Sequence, residues 1–346
     1  MKHQTTRYGE IPFYKIGTFG NTADAFISKK LFLEYKTKYS FPKKGDILIS
    51  ASGTIGRAVI YDGKPAYFQD SNIVWIDNDE TLVKNDFLFY AYSNVKWNTE
   101  HTTILRLYND NFRNTLIPLP SLNEQSAIAN ILSDLDRYLC ALDALILKKE
   151  GVKKSLSFEL LSQRKRLKGF NQAWQRVRLG DIANYLTSNL SVEQITQQGE
   201  IKVYDVNNFI GYTDTTFISD KPYISIVKDG SVGRVRILPP KTNILSTMGA
   251  LIANHRTTTE FLFYLLSNFD FKNFTSGSII PHIYFKDYKE KTIFLPPLNE
   301  QSAIANILSA LDNEIASLKN KKRQFENIKK ALNHDLMSAK IRVLEK

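Results

Sequence analysis

Five histidines, one cysteine and a short acidic run are the residues of this 346-residue chain best suited to catalysis or metal binding. The histidines stand at positions 3, 101, 255, 282 and 334, too scattered for a metal-ligand pattern. Cys140 has no second cysteine to join, which excludes an intrachain disulfide and a cysteine-rich zinc site. Beside Leu139 on an apolar helix stripe, it reads as packing rather than as a nucleophile. Asp77-Asn-Asp-Glu80 lacks the glycine and the distal glutamate of a calcium loop and reads as a solvated turn. The turns Gly53-Thr-Ile-Gly-Arg57 and Gly230-Ser-Val-Gly-Arg234 are too short for a dinucleotide fingerprint. No Gly-x-x-x-x-Gly-Lys-[Ser/Thr] phosphate loop and no Asn-Pro-Pro-Tyr loop occurs. These absences point to a binding protein. The net charge of +11 favours nucleic acid as its partner, because neutralising phosphates releases counterions, while solubility alone is the plainer reading. No apolar run reaches the roughly 18 residues of a membrane span, and Met1–Arg7 lacks the apolar core of a signal peptide, so a cytoplasmic protein is expected.

The elements that must position any binding surface are set by a repeat. Leu119–Asp136 returns as Leu295–Asp312 at a constant offset of 176, differing only at Ser121/Pro297 and Asp134/Ala310. In the first copy Asn123 is the expected helix N-cap, with Glu124 and Gln125 in the first turn. Ile128, Ile131, Leu132 and Leu135 then share one face of a short helix. Leu139, Leu142, Leu145 or Ile146, Lys149, Val152, Leu156 and Leu160 continue in steps of three and four, the seam of a coiled coil, with Gly151 its one weak point. A helix over about 136–166 would be on the order of 45 Å long. The second copy continues through Ile315, Leu318, Lys322, Phe325, Ile328, Leu332 and Leu336.

Ahead of each helix lies mixed strand and turn. Strands are expected at Ile47–Ser50, Ala58–Tyr61 and Asn72–Ile76, and a helix at Asp86–Asn94, whose Phe87–Asn94 is echoed by Phe261–Asn268. Leu31–Lys44 has no counterpart in the second half. Conversely, 25 residues, Trp174–Gln198, precede Gly199, whereas eight precede the matching Gly9, so the first globular part is expected to lack its opening segment. The expected boundaries are 1–118, 119–173, 174–294 and 295–346.

Two variable globular parts alternating with two helices, each opening Leu-Pro-x-Leu-Asn-Glu-Gln-x-x-Ile-Ala-x-Ile-Leu, resemble the specificity subunit of type I restriction-modification systems. The Gly-x-x-Gly-Arg turns and Trp174…Leu179-Gly-Asp-Ile182 carry the same resemblance, which covers essentially the whole chain. It implies an α+β fold: two mixed α/β target recognition domains joined by two long antiparallel coiled-coil helices, in an internal pseudo-two-fold repeat. It further implies that each globular domain reads one half of a bipartite double-stranded DNA target. The helices would fix the distance between half-sites and recruit two modification (methyltransferase) subunits, and restriction subunits would complete the complex. This chain would then hold no catalytic residue, cofactor or metal.

On that reading the DNA-contacting candidates are polar and basic side chains on turns. They are Ser52, Thr54 and Arg57 on one turn and Lys228, Ser231, Arg234 and Arg236 on the other. Arg106 and Asn109, and Ser278 and His282, come from stretches 101–109 and 277–285, which align at the same offset and differ in their polar residues. Arg57 and Arg234 have the alternative role of pairing with a carboxylate to hold the turn. Asn123, Glu124, Gln125, Asn299, Glu300 and Gln301 are the partner-binding candidates, since capping alone does not demand identity over the whole stretch. Two competing readings stay open: a non-catalytic coiled-coil scaffold, and the specificity part of a combined restriction-and-modification enzyme.

Overall fold

The computed structural model describes residues 4–68, 72–97 and 105–344. The chain divides into two units, Met1–Asp143 with Asn320–Lys346, and Ala144–Lys319. Each unit therefore joins one globular part to a piece of both long helices.

In the first unit, β1 (Ile11–Tyr14) lies between β2 (Ala25–Ile27) and β5 (Tyr67–Phe68), and β3 (Ile47–Ser50) between β4 (Ala58–Ile60) and β6 (Ile73–Trp75). The expected strand at Ile47–Ser50 is buried along its whole length, as its unbroken apolar run requires. Leu31–Lys44, without a counterpart in the repeat, carries most of a helix, α1 (Lys29–Lys38). Ser28 caps it by accepting a hydrogen bond from the Leu31 amide (3.2 Å). Helices α2 (Asn85–Asn94) and α3 (Asn109–Arg113) complete the globular part.

The second unit opens with β7 (Gln175–Arg178) and β8 (Ala183–Thr187). A small sheet follows, with β9 (Ile201–Tyr204) between β10 (Phe209–Thr213) and β13 (Asn243–Ile244). The main sheet has the order β12 (Val235–Leu238), β11 (Tyr223–Val227), β14 (Met248–Ala253), β8. Helix α5 (Thr259–Ser267), the hairpin of β15 (Thr275–Ser276) and β16 (His282–Ile283), α6 (Phe285–Tyr288) and β17 (Thr292–Leu295) lead into the last helix.

The long helices are α4 (Leu122–Leu161) and α7 (Leu298–Met337), 40 residues each. The short and the long helix expected from the sequence are one element, unbroken at position 136. Gly151 sits within it in open space, and its cost of about 1 kcal/mol relative to alanine is too small to interrupt a helix with about eight turns before it and nearly three after it. The helix ends at Leu161 rather than near 166, and Gln163 has left-handed backbone (φ 60°). The cap also differs from expectation. The Ser121 hydroxyl accepts the Glu124 amide (3.3 Å), so Asn123 lies inside the first turn.

Within the first unit, Asp136 pairs with Lys329 and Asp143 with Lys322 (2.7 Å). Seven residues forward on α4 are seven backward on α7, so the two pieces run antiparallel. In the second unit Lys149 pairs with Glu314 (2.7 Å) and Lys153 with Asp312. One position of the expected seam shifts in each helix. Val152 and Ile328 are about half exposed (46% and 50%), and the next residues, Lys153 and Lys329, turn inward. Their ammonium groups meet Asp312 and Asp136, which also accept the hydroxyls of Tyr264 (2.9 Å) and Tyr90 (2.8 Å). Each lysine can lay its aliphatic stem along the seam while its ammonium reaches a partly exposed aspartate, so the shift gives up little apolar contact. Burial, and next the hydrogen bond to the aspartate, push both tyrosine hydroxyls far above their ordinary range.

Candidate nucleic-acid interface

In the second unit the turn after β11 is anchored to the β15–β16 hairpin. The Gly230 amide donates to the Pro281 carbonyl and the Ile283 amide to the Lys228 carbonyl, both at 2.9 Å. Asp229 and His282 form a β-bridge, and the His282 ring nitrogen Nδ1 lies 2.7 Å from the Asp229 carboxylate. The first unit repeats the arrangement. The Leu107 amide donates to the Ala51 carbonyl (2.8 Å), and Ser52 bridges Arg106. Thus residues some 50 positions apart in sequence meet, and Arg106 and His282 occupy equivalent places beside equivalent turns.

Both turns need their second glycine. Gly56 (φ 81°) and Gly233 (φ 78°) have left-handed backbone, and a Cβ there would come within 2.3 Å of Trp97 and 2.6 Å of Phe271. The following arginine ties the turn to a neighbouring loop. Arg57 donates to the Phe19 carbonyl (2.9 Å), between β1 and β2. Arg234 donates to the Asn207 side chain (2.9 Å) and Arg236 to the Asn207 carbonyl (2.9 Å), between β9 and β10. Arg236 also lies over the Tyr204 ring. The bracing role weighed for Arg57 and Arg234 is present, with a carbonyl and an amide oxygen as acceptors in place of a carboxylate.

Thr54, Arg57, Asn109, Ser231, Arg234 and Ser278 are exposed, and Arg106, Lys228, Arg236 and His282 half-buried. Ser52 is buried, and its hydroxyl donates to Asn72 (2.8 Å). Asn109 stands apart from the turn, on a cleft with Val74 and Trp75. His101–Ile104, the start of the first aligned stretch, lies outside the described residues. Asp229 and Asn207 were not singled out from sequence. Asp229 was within reach, since it aligns with Ser52 one position ahead of the glycine turn, whereas Asn207 belongs to a stretch that does not repeat. Asp77, Asp79 and Glu80 turn to three separate partners: the Lys43 ammonium and the amides of Thr81 and Asn85.

The repeated Asn-Glu-Gln has a concrete internal use. The buried Gln301 amide group donates to the carbonyls of Arg256 (2.9 Å) and Pro296 (2.8 Å). Its oxygen accepts from the Thr257 hydroxyl and the Thr258 amide, both at 3.0 Å. Gln125 donates to Leu82 (3.0 Å) and Pro120 (2.8 Å) and accepts the Lys84 amide (2.8 Å). Glu300, equally buried, accepts from Arg166 (2.6 Å) and the Trp174 indole (2.9 Å). Glu124 accepts from Arg342 (2.8 Å) and the Val343 amide (3.3 Å). The Arg342 hydrogen bond holds the Glu124 carboxyl below the usual carboxylate range. Asn123 and Asn299 are exposed, as are Leu122 and Asn130, and Leu298 and Asn306, at matching positions.

No helix among the described residues is long and apolar enough to cross a membrane. Residues 1–149 and 171–327 each match the family described as Type I restriction modification DNA specificity domain, and the chain belongs to this family. With two such domains and the long paired helices, it is a type I DNA specificity subunit. A chain of Haemophilus influenzae assigned as a type I restriction enzyme specificity subunit is 62% identical over 137 residues, 39% of this chain and 36% of that one. The match thus spans about a third of that relative's length. The type I restriction enzyme MjaVIII specificity subunit of Methanocaldococcus jannaschii is 25% identical over 362 residues, covering 92% of this chain and 84% of its own. The crystal structure of the S subunit from M. genitalium shares the fold, with a TM-score of 0.63 and 20% identity over 97% of this chain and 91% of that one.

Proposed function

We propose that each globular part reads one half of a bipartite double-stranded DNA target. Arg106 and His282 contribute different base contacts, and Thr54, Arg57, Lys228, Ser231, Arg234, Arg236 and Ser278 contribute phosphate or base contacts beside them. The observation that carries this reading is the equivalent placement of Arg106 and His282 against the two glycine turns. One scaffold that presents arginine in one unit and an aspartate-bound histidine in the other fits two half-sites of different sequence. The helices set the spacing between half-sites.

The same reading makes this chain the non-catalytic part of a cytoplasmic complex with two modification subunits and, in full form, restriction subunits. Its docking surface for the modification subunit is the solvent side of each repeat, Leu122, Asn123 and Asn130, and Leu298, Asn299 and Asn306. Their identity in both copies is not required by the core, whereas that of Glu124, Gln125, Glu300 and Gln301 shapes the helix start beneath. The test is binding of the chain with its modification subunit to random and selected DNA over a salt series. Selective binding that weakens steeply with salt supports the reading, and equal affinity for all sequences refutes it. Asn130→Arg with Asn306→Arg should abolish capture of the modification subunit without lowering thermal stability.

A further inference from the structure

The two equivalent reading positions differ in how each holds a charge. Arg106 is charged at every working pH, and the residue that bridges it, Ser52, is neutral. A histidine changes charge between roughly pH 5 and 8, and the residue that bridges His282 is an acid, Asp229. The carboxylate lies 2.7 Å from Nδ1 and only accepts, so the contact places a proton on Nδ1. The neutral form protonated on Nε2 alone is thereby disfavoured. Two forms remain: the neutral ring, whose Nε2 accepts, and the imidazolium, whose Nε2 donates. The His282 side chain is 35% exposed.

An aromatic ring stands two residues beyond each reading position. Arg106 lies 5.8 Å from the centre of the Tyr108 ring, and the His282 ring stacks on Tyr284 with 6.5 Å between centres. Such a face favours a cation. The other charged and titratable groups around His282 are two lysines and a tyrosine. The Lys228 carbonyl accepts the Ile283 amide, and the Lys286 ammonium lies over the Tyr284 ring. Burial, and next the Asp229 charge, push up the hydroxyl of Tyr185 on β8. The lysines oppose a proton on the ring, whereas Asp229 and the closely spaced phosphates of a bound duplex favour it.

We propose that His282 reads its half-site as an imidazolium, taking up a proton as DNA binds, with Nε2 donating to N7 or O6 of a guanine. Guanine is the base whose major-groove edge offers two acceptors and no donor. Asp229 is the positioning residue that keeps Nδ1 protonated. The carboxylate thus stands beside the reader that needs it, while the permanently charged Arg106 has a serine in that place. This inference rests on the proposed reading of DNA by the two globular parts.

The test uses the chain with its modification subunit and a duplex carrying the sequence selected from a random library. Calorimetry in buffers of different ionisation enthalpy should show proton uptake on binding near neutral pH. His282→Arg should abolish that uptake and keep the guanine. Relative to His282→Arg, affinity of the unsubstituted chain should fall roughly threefold or more from about pH 6.5 to about pH 8.5. Asp229→Asn should lose the uptake and relax one base pair of one half-site, leaving the other half-site unchanged. Retained uptake in Asp229→Asn overturns the role of Asp229, and the unsubstituted chain and His282→Arg decide the protonation even if Asp229→Asn fails to fold. Binding without proton uptake, or an adenine or cytosine at the base pair that His282→Ala relaxes, overturns the imidazolium while the DNA reading stands. A selected sequence unchanged by His282→Ala overturns that reading and the inference with it.

Discussion

Replacing Gln301 with alanine removes four hydrogen bonds from a fully buried site and leaves the Thr258 amide and the carbonyls of Arg256 and Pro296 without that partner. At a net value of roughly 0.5–1.5 kcal/mol per bond, the loss should be about 3–4 kcal/mol. Gln125→Ala removes three bonds and should cost about 2–3 kcal/mol. The substitutions lie in different units, so they should act on different transitions in urea. Trp174 reports on the second unit, and Trp75 and Trp97 on the first. In a chain with Trp75 and Trp97 changed to phenylalanine, Gln301→Ala should lower the Trp174 midpoint by about 1–2 M urea, at a slope of about 2–3 kcal/mol/M. Gln125→Ala should leave that midpoint unchanged and, in a chain with Trp174 changed to phenylalanine instead, shift the transition seen through Trp75 and Trp97. A shift below about 0.5 kcal/mol for Gln301→Ala would refute the clamp as the reason for the glutamine. Unchanged stability with loss of modification-subunit binding would move the role of the glutamine to the partner surface.

Gly233→Ala should destabilise the second unit by at least about 1–2 kcal/mol in thermal unfolding, since it adds left-handed strain to a clash with Phe271. The Glu124 carboxyl titrates below its unfolded value, so its contribution is complete above that value and fades as the pH falls through the lowered one. The protection factor of the Val343 amide, its exchange relative to an unstructured amide at the same pH, should fall in that acid window, and Glu124→Gln should remove this change in protection. A double-mutant cycle on Lys153 and Asp312 should give a coupling of about 1 kcal/mol or less, because both groups keep partial contact with water.

Much of this architecture is legible in sequence because the repeat multiplies weak signals. A buried apolar run such as Ile47–Ser50 and a helix start used twice leave few alternatives. What escapes is decided by tertiary partners. The inward turn of Lys153 instead of Val152 depends on Asp312, 159 residues away, which no local period records. The unbroken path through position 136 depends on α7 packing alongside, and α1 sits in a segment that no copy repeats. The candidate interface was legible residue by residue from the two glycine turns and the offset. Its assembly was not, because backbone bonds such as Gly230 to Pro281 join stretches without mutual sequence signal. For the same reason the Asp229–His282 pair and the Asn207 anchor appear only in three dimensions.

The most direct measurement of the central claim is the DNA sequence that the chain selects when expressed with the modification subunit proposed as its partner, read as methylated sites across a host genome. The account predicts two half-sites separated by a fixed gap, with Arg106→Ala altering one half only and His282→Ala altering only the other. A single contiguous site, or two substitutions that alter the same half, would contradict it.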